Sequence, residues 1–351
     1  MVKRVFVISF LLIVSMLKLQ AQLGGESTYS FLNLTITPRS AALGSKVVAL
    51  DEADQGVALT NPAHLSSQLH NQLSLSYVSY FADIKYAFVN YSRHVEGIGT
   101  FGVGMQHVGY GDFTEANVAG LITGSFSGYD MAIHLSYARS IDSLFTFGVT
   151  LKPIYSHLEQ YTSFGLAADI GLAYHSRDSL FSAGVVARNI GSMLKPYTPD
   201  TWEALPFELI FGVSQKLRHA PFRLVATFQQ VQTSSLYFRR QSSTVSLFGD
   251  EEPQDPTLLD KLGSEVLSHL ILGVEFVPIT NFYVRGGYNF QRRNELKLEE
   301  RVSTVGFSWG VGIKIKRFYL NYSRATYHLV GGSNHFSLST NLDDFFVKKN
   351  L

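Results

Sequence analysis

The sequence predicts an all-β fold, a transmembrane antiparallel β-barrel of about 14 strands with an N-terminal plug. The first observation is a period of two. In Val305-Gly306-Phe307-Ser308-Trp309-Gly310-Val311-Gly312-Ile313-Lys314-Ile315-Lys316, every odd position is large and apolar and every even position is Gly, Ser or Lys. One face of such a strand is greasy and the other small or charged. The same alternation recurs in Met131-Ile133-Leu135-Tyr137, Phe145-Phe147-Val149-Leu151, Phe164-Leu166-Ala168-Ile170-Leu172-Tyr174, Leu270-Leu272-Val274-Phe276 and Phe282-Val284-Gly286-Tyr288-Phe290. The second is length: these segments run to roughly 10 to 14 residues, where soluble strands average about 5 or 6, and a tilted strand of that length crosses a bilayer. The third is composition. Charged residues are 16%, against about 25% in soluble domains. Mean hydropathy is only +0.08, because half of each strand faces a polar lumen.

Residues 1–21 read as a secretory signal. Lys3 and Arg4 form its basic start, Val5 to Leu17 its apolar run and Leu19-Gln20-Ala21 a small-residue cleavage site, leaving Gln22 first. The chain has no cysteine, which excludes lipid attachment through an N-terminal cysteine, disulfides and thiol chemistry.

Residues 22–70 lack sustained alternation and mix short apolar runs with Gly, Pro and Asn. A barrel of about fourteen strands is too wide for its own side chains to fill, so this segment is the natural plug. Arg39-Ser40-Ala41-Ala42-Leu43-Gly44 reads as a compact small-residue turn, and Asn61-Pro62-Ala63 is a turn signal. Arg39, Gly44, Asn61 and Pro62 are its motif residues.

The barrel occupies residues 71–341. Strands are expected at 73–81, 84–95, 98–111, 128–140, 143–157, 160–175, 179–191, 205–218, 221–233, 268–277, 280–292, 302–316, 317–330 and 333–341, and residues 342–351 form a tail. The segment 84–95 is irregular, its phase slipping between Tyr86-Phe88 and Val89-Tyr91. Alternate connections are tight: Glu96-Gly97, Asp142, Arg177-Asp178, Ala220-Pro221, Pro278-Ile279 and Lys316-Arg317. The longer intervening ones are Asp112 to Ser127, Ser192 to Ala204, Ser234 to Leu267 and Arg293 to Arg301. Short periplasmic turns against longer outer loops is the asymmetry of such barrels, and it puts both ends of the wall on the periplasmic side.

Ser234 to Leu267 is the strongly acidic, Pro-containing stretch. It is either a solvated loop or a partner-contact surface, with Phe238, Arg239, Arg240, Phe248 and Asp250 as candidate contacts. Asp169, Arg188, Arg223, Glu275, Arg285, Lys314 and Lys316 fall on the lumen side of apolar strands. They either line a solute or proton path or pair with one another and with the plug, the reading the sequence favours. The outward positions Trp309 and Val311 should reject charge, and the lumen positions Ser308 and Gly310 should accept it where space allows.

Enzyme motifs are weak. Ser192-Met193-Leu194-Lys195 matches S-x-x-K without its companion motifs, and Gly124-Ser125-Phe126-Ser127-Gly128 has Phe where a nucleophile elbow needs Ser. The 11 His are scattered, with no H-E-x-x-H. Gly102-Val103-Gly104 opens no helix and cannot cradle a phosphate. No cofactor is expected.

Gly24-Gly25-Glu26-Ser27-Thr28-Tyr29, Phe31-Leu32-Asn33-Leu34, Arg39 to Gly44, Asp54 and Asn61-Pro62-Ala63-His64-Leu65 together resemble the mature start of the PorQ family. His335-Phe336-Ser337-Leu338 near the end is similar too. These are outer-membrane barrels of the type IX secretion system of Bacteroidota. The N-P-A turn and small-residue segment are shared with PorV-like barrels and the long-chain fatty-acid transporter family. The tail departs from barrels that end on an aromatic residue. The resemblance implies a non-enzymatic protein of the bacterial outer membrane, within a cell-surface attachment complex. Its implied partners are a PorZ-like surface protein, a PorU-like sortase and a PorV-like barrel, which together attach cargo to lipopolysaccharide. The alternative is a transporter of long-chain fatty acids or other hydrophobic solutes. That needs an apolar pocket under the plug and a lateral gap at a kinked strand, for which Pro153 is the candidate.

Overall fold

Each strand of the wall pairs with its sequence neighbours, and the first pairs with the last, so no edge is left open. The computed structural model describes residues 27–50, 52–80, 83–233, 258–279, 281–296, 304–327 and 331–346. The strands are β1 (Gln72–Ser79), β2 (Lys85–Val95), β3 (Gly99–Ala116), β4 (Ile122–Ser140), β5 (Phe145–Leu158), β6 (Tyr161–His175) and β7 (Phe181–Lys195). They continue as β8 (Glu208–Lys216), β9 (Phe222–Phe228), β10 (Leu270–Ile279), β11 (Phe282–Asn289), β12 (Phe307–Ile315), β13 (Phe318–Thr326) and β14 (Gly332–Asn341). All fourteen expected segments are strands, joined antiparallel from Gln72 opposite Asn341 onward. The signal-like residues 1–21, the candidate contacts Phe238, Arg239, Arg240, Phe248 and Asp250, and the end of the tail lie outside the described residues.

The phase of each strand is set by which side meets lipid. Ile170, Leu272, Phe307 and Trp309 are 46%, 43%, 55% and 51% exposed on the outer wall. Asp169, Glu275 and Ser308, of opposite phase on the same strands, are buried inside. A continuous ring of exposed large apolar side chains is untenable in water and is the exterior of an outer-membrane barrel. Among the described residues no helix is long and apolar enough to cross a membrane. Aromatic pairs mark both ends of the wall: Phe101–Tyr137 and Phe145–Tyr174 toward the short-turn rim, Tyr129–Tyr155 and Tyr155–Phe164 toward the other.

The short turns are built by local hydrogen bonds. Asp142 accepts from the backbone N–H groups of Leu144 and Phe145, both at 2.7 Å, and Asp178 does the same for Leu180 at 3.2 Å. The β10–β11 turn falls two residues later than expected, since Ile279 already pairs with Phe282. The longer connections depart further from the sequence reading. Asp112 to Ser127 is largely a hairpin, because Asp112 pairs with Ser127 and Glu115 with Gly124. Likewise β7 runs on to Lys195, and helices Phe290–Leu296 and Leu258–His269 occupy parts of the two remaining loops.

Residues 27–70 form an insert inside the wall. The segment starts at the long-connection rim, where Ser27 pairs with Ala204 between β7 and β8. It ends at the short-turn rim, where the Asn71 side-chain amide donates to Asp343 at 2.7 Å. In between, Pro38 opens the helix Pro38–Ala42 from its first turn. Asp54 caps Gln55–Thr60 by accepting from Gly56 and Val57. Asn61 closes that helix and caps the single turn Pro62–His64 by accepting from Ala63.

Candidate functional site: the filled lumen and its charge clusters

The insert sits so close to the wall that its backbone touches strand positions where only glycine fits. A Cβ on Gly148 (β5) would collide with the Pro62 carbonyl, one on Gly184 (β7) with the Val48 carbonyl oxygen, and one on Gly287 (β11) with the backbone joining Leu43 to Gly44. Gly171 (β6) meets the Asn61 side chain in the same way. These glycines share the inward face, and their absent side chains are the space the insert occupies.

Two buried charge clusters tie insert to wall. In the first, Arg39 donates to Asp54 (3.1 Å), Glu52 (3.0 Å) and Glu275 of β10 (2.8 Å). Glu275 also takes Arg223 of β9 and, at 2.6 Å, Arg285 of β11. Arg223 returns to Glu52 at 2.8 Å. Three guanidiniums therefore face three carboxylates. Burial opposes the charge on Glu52, but Arg39 and Arg223 overcome it and hold its carboxyl down at about 2. In the second cluster Lys46 pairs with Glu208 of β8, beside Arg188 of β7 at 3.7 Å. Lys152 of β5 lies 2.6 Å from Asp169 of β6 and donates to Asn189. Asn189 stands at φ 58° in a bulge of β7, with its N–H on Asp169 at 2.8 Å.

The expected motif residues all lie in this assembly. Arg39 centres the first cluster. Gly44, at φ +106°, offers its carbonyl to Asn289 of β11 and to Arg292 of the helix Phe290–Leu296. The Asn61 amide donates to the Val48 carbonyl at 2.9 Å, and Pro62 faces Gly148. Of the lumen charges, Asp169, Arg188, Arg223, Glu275 and Arg285 pair with one another or with the insert. Lys314 and Lys316 do not join them and stand exposed at the short-turn rim. Lys152, Glu208, Lys46 and Glu52 were not singled out by sequence. Lys152 was detectable, since it shares the inward phase of Gly148 and Thr150.

The lumen is not polar throughout. Tyr86 and Phe88 point inward with Val78 and Val108 and pack on Phe31, Leu32 and Ile36 of the insert. The expected slip in β2 is therefore absent: Tyr86, Phe88, Asn90 and Ser92 all face inward in unbroken alternation, and the inward face is partly apolar because the insert brings apolar partners. Pro153 leaves the β4–β5 ladder interrupted between Ala132–Ile154 and Leu135–Leu151. Its partner Leu166 on β6 stays in register, and the wall remains closed. Among the described residues, the large apolar concavities of about 630 and 700 Å³ lie on the lipid face, lined by residues such as Leu75 and Phe336 in one and Leu272 and Phe307 in the other. A polar cavity of about 230 Å³ lies inside, near the short-turn rim, bordered by Arg39, Glu52, Gln55, Ser74 and Ser339. The S-x-x-K match falls on β7, with Lys195 bonded to Thr162, an arrangement without catalytic geometry.

The sequence matches no protein-family model and no curated protein. The fold is similar to that of solved outer-membrane barrels. The Ralstonia pickettii toluene transporter TbuX aligns with a TM-score of 0.55 at 14% identity, over 89% of this chain and 100% of that one. The Pseudomonas putida toluene transporter TodX aligns at 0.52 and 12%, over 88% and 99%.

Proposed function

We propose that this chain is a plugged outer-membrane barrel that anchors a surface partner, rather than a conduit for solute. The observation that carries this reading is the fixed insert, now called the plug. Its backbone is seated on glycines and its charges are paired with wall residues, so the working surface is the outer rim. With the sequence resemblance, this supports a place in a type IX secretion attachment complex, holding a PorZ-like partner alongside a PorU-like sortase and a PorV-like barrel. The function is then non-enzymatic, and its substrate side is the transfer of cargo to lipopolysaccharide by the partners.

The outer connection 234–267 is the first candidate for the docking surface, because Phe238 and Phe248 are apolar anchors and Arg239, Arg240 and Asp250 supply both charge signs. Shortening it to a tight turn should leave a folded, heat-modifiable barrel, release the surface partner and let cargo escape to the medium. Continued co-purification of the partner with retained cargo would move the docking surface to the β3–β4 hairpin or the β7–β8 connection. A second reading, hydrophobic-solute transport, is favoured by the likeness in fold to the toluene transporters. Loss of fatty-acid or aromatic-hydrocarbon uptake on gene deletion, with secretion intact, would establish it over the first.

A further inference from the structure

The second charge cluster does not balance. Lys46, Lys152 and Arg188 are 8%, 0% and 7% exposed, and the acids they meet are Asp169 and Glu208. Three cations face two carboxylates in an enclosed lumen, where an uncompensated charge is costly. Hydrogen bonding in the cluster is incomplete on both sides: Oδ2 of Asp169 and Oε2 of Glu208 are buried without a donor. An ammonium has three N–H groups, and Lys46 gives one to Glu208. Arg188 gives Nη2 to the Leu32 carbonyl at 2.9 Å, while its Nε is buried without a hydrogen-bond partner.

Lys46 and Arg188 both line a cavity of about 20 Å³, walled by Thr35 and Ser45 of the insert and by Gln106 and His134 of the wall. A void of that size holds one water-sized particle. We infer that this cavity binds a single small monovalent anion of the halide type, held between Lys46 and Arg188. One negative charge neutralises the excess of one, and a monatomic ion suits so small a space. The inference rests on charge count and geometry and is independent of the proposed anchoring role. The competing occupant is a water molecule, which would donate to the unpartnered Nδ1 of His134.

The test is anomalous diffraction from crystals of the full chain grown without halide and soaked in bromide. The expected result is a bromide peak between Lys46 and Arg188; its absence at saturating bromide overturns the inference in favour of water. In parallel, the midpoint of heat modification is measured at constant ionic strength in gluconate, which is too large to enter, and in bromide. The midpoint should be several degrees higher in bromide, and equal midpoints overturn the inference. Lys46→Met leaves two cations against two acids and should lose both the peak and the halide dependence. Retained dependence in that variant counts against the site, and if the variant does not fold, the wild-type diffraction still decides.

Discussion

Adjacent glycines of β11 separate two roles that sequence cannot tell apart. Gly287 faces the insert, and a Cβ there would strike the Leu43–Gly44 backbone, whereas a Cβ on Gly286 has only Val274 near it, at 3.8 Å. Gly287→Ala should therefore cost about 1–3 kcal/mol through overpacking against an unyielding backbone. Gly286→Ala should stay within about 0.5 kcal/mol. Chemical or thermal unfolding in detergent compares them, and equal losses would mean the insert is not seated there. From sequence alone, glycine on the small face of a strand reads as curvature; only the three-dimensional course of residues 27–70 shows that it makes room. The charges were half legible for a similar reason. Phase placed Glu275, Arg223 and Arg285 on the inner face, but Arg39, which shares Glu275 with the two wall arginines, lies 236 residues from it, in a segment without periodicity. Removing the Glu275 charge would leave Arg285 without a carboxylate and three guanidiniums against two acids, so Glu275→Gln should cost about 3–5 kcal/mol, read as a lowered heat-modification midpoint.

At the scale of elements, β12 tests the two faces of the wall. Trp309→Arg should cost about 2–4 kcal/mol if it sits near the midplane. The sequence leads one to expect tolerance at Ser308 and Gly310, and the packing reverses that. Ser308 donates to the Ala42 carbonyl at 3.1 Å, and a Cβ on Gly310 would press on Ala42 at 2.7 Å. Gly310→Arg should thus be at least as damaging as Trp309→Arg, and a mild phenotype would show that the helix Pro38–Ala42 yields. The insert itself carries a pH signature. Burial and the nearby His175 push His64 down to about 4, and its Nε2 rests on the Val48 carbonyl at 2.8 Å. An unfolded histidine takes up its proton near 6.5, so the stability held by neutral His64 is complete above that value and lost as pH falls toward 4. Glu52 adds a second loss, from its unfolded value of 4.5 down to about 2. The midpoint should fall in both windows, and His64→Gln should make the upper fall shallower. A wild-type midpoint that is constant between pH 7 and 5 would contradict the burial of a neutral ring.

For the whole molecule, period-two strands and the short-turn asymmetry made the wall readable, because lipid imposes one rule on every outward position. Nothing comparable governs the insert, whose path is set by contacts spread over the wall. Deleting residues 24–65 should raise single-channel conductance far above that of the intact protein in planar bilayers, and an intact protein that already conducts like an open porin would refute the sealing role. The rim-to-rim course of the insert also bears on time. Ala42 meets Ser308 across 266 residues, and contacts of such separation form late and slowly. Residues 27–70 are made before any strand of the wall, yet their enclosure is complete only when β14 zips to β1. Wrapping the strands around the insert and closing that seam last avoids threading a charged segment through a finished ring. A segment made before the wall is thus the last to be sheltered, and a chain truncated before β14 leaves it stranded, however intact its own sequence.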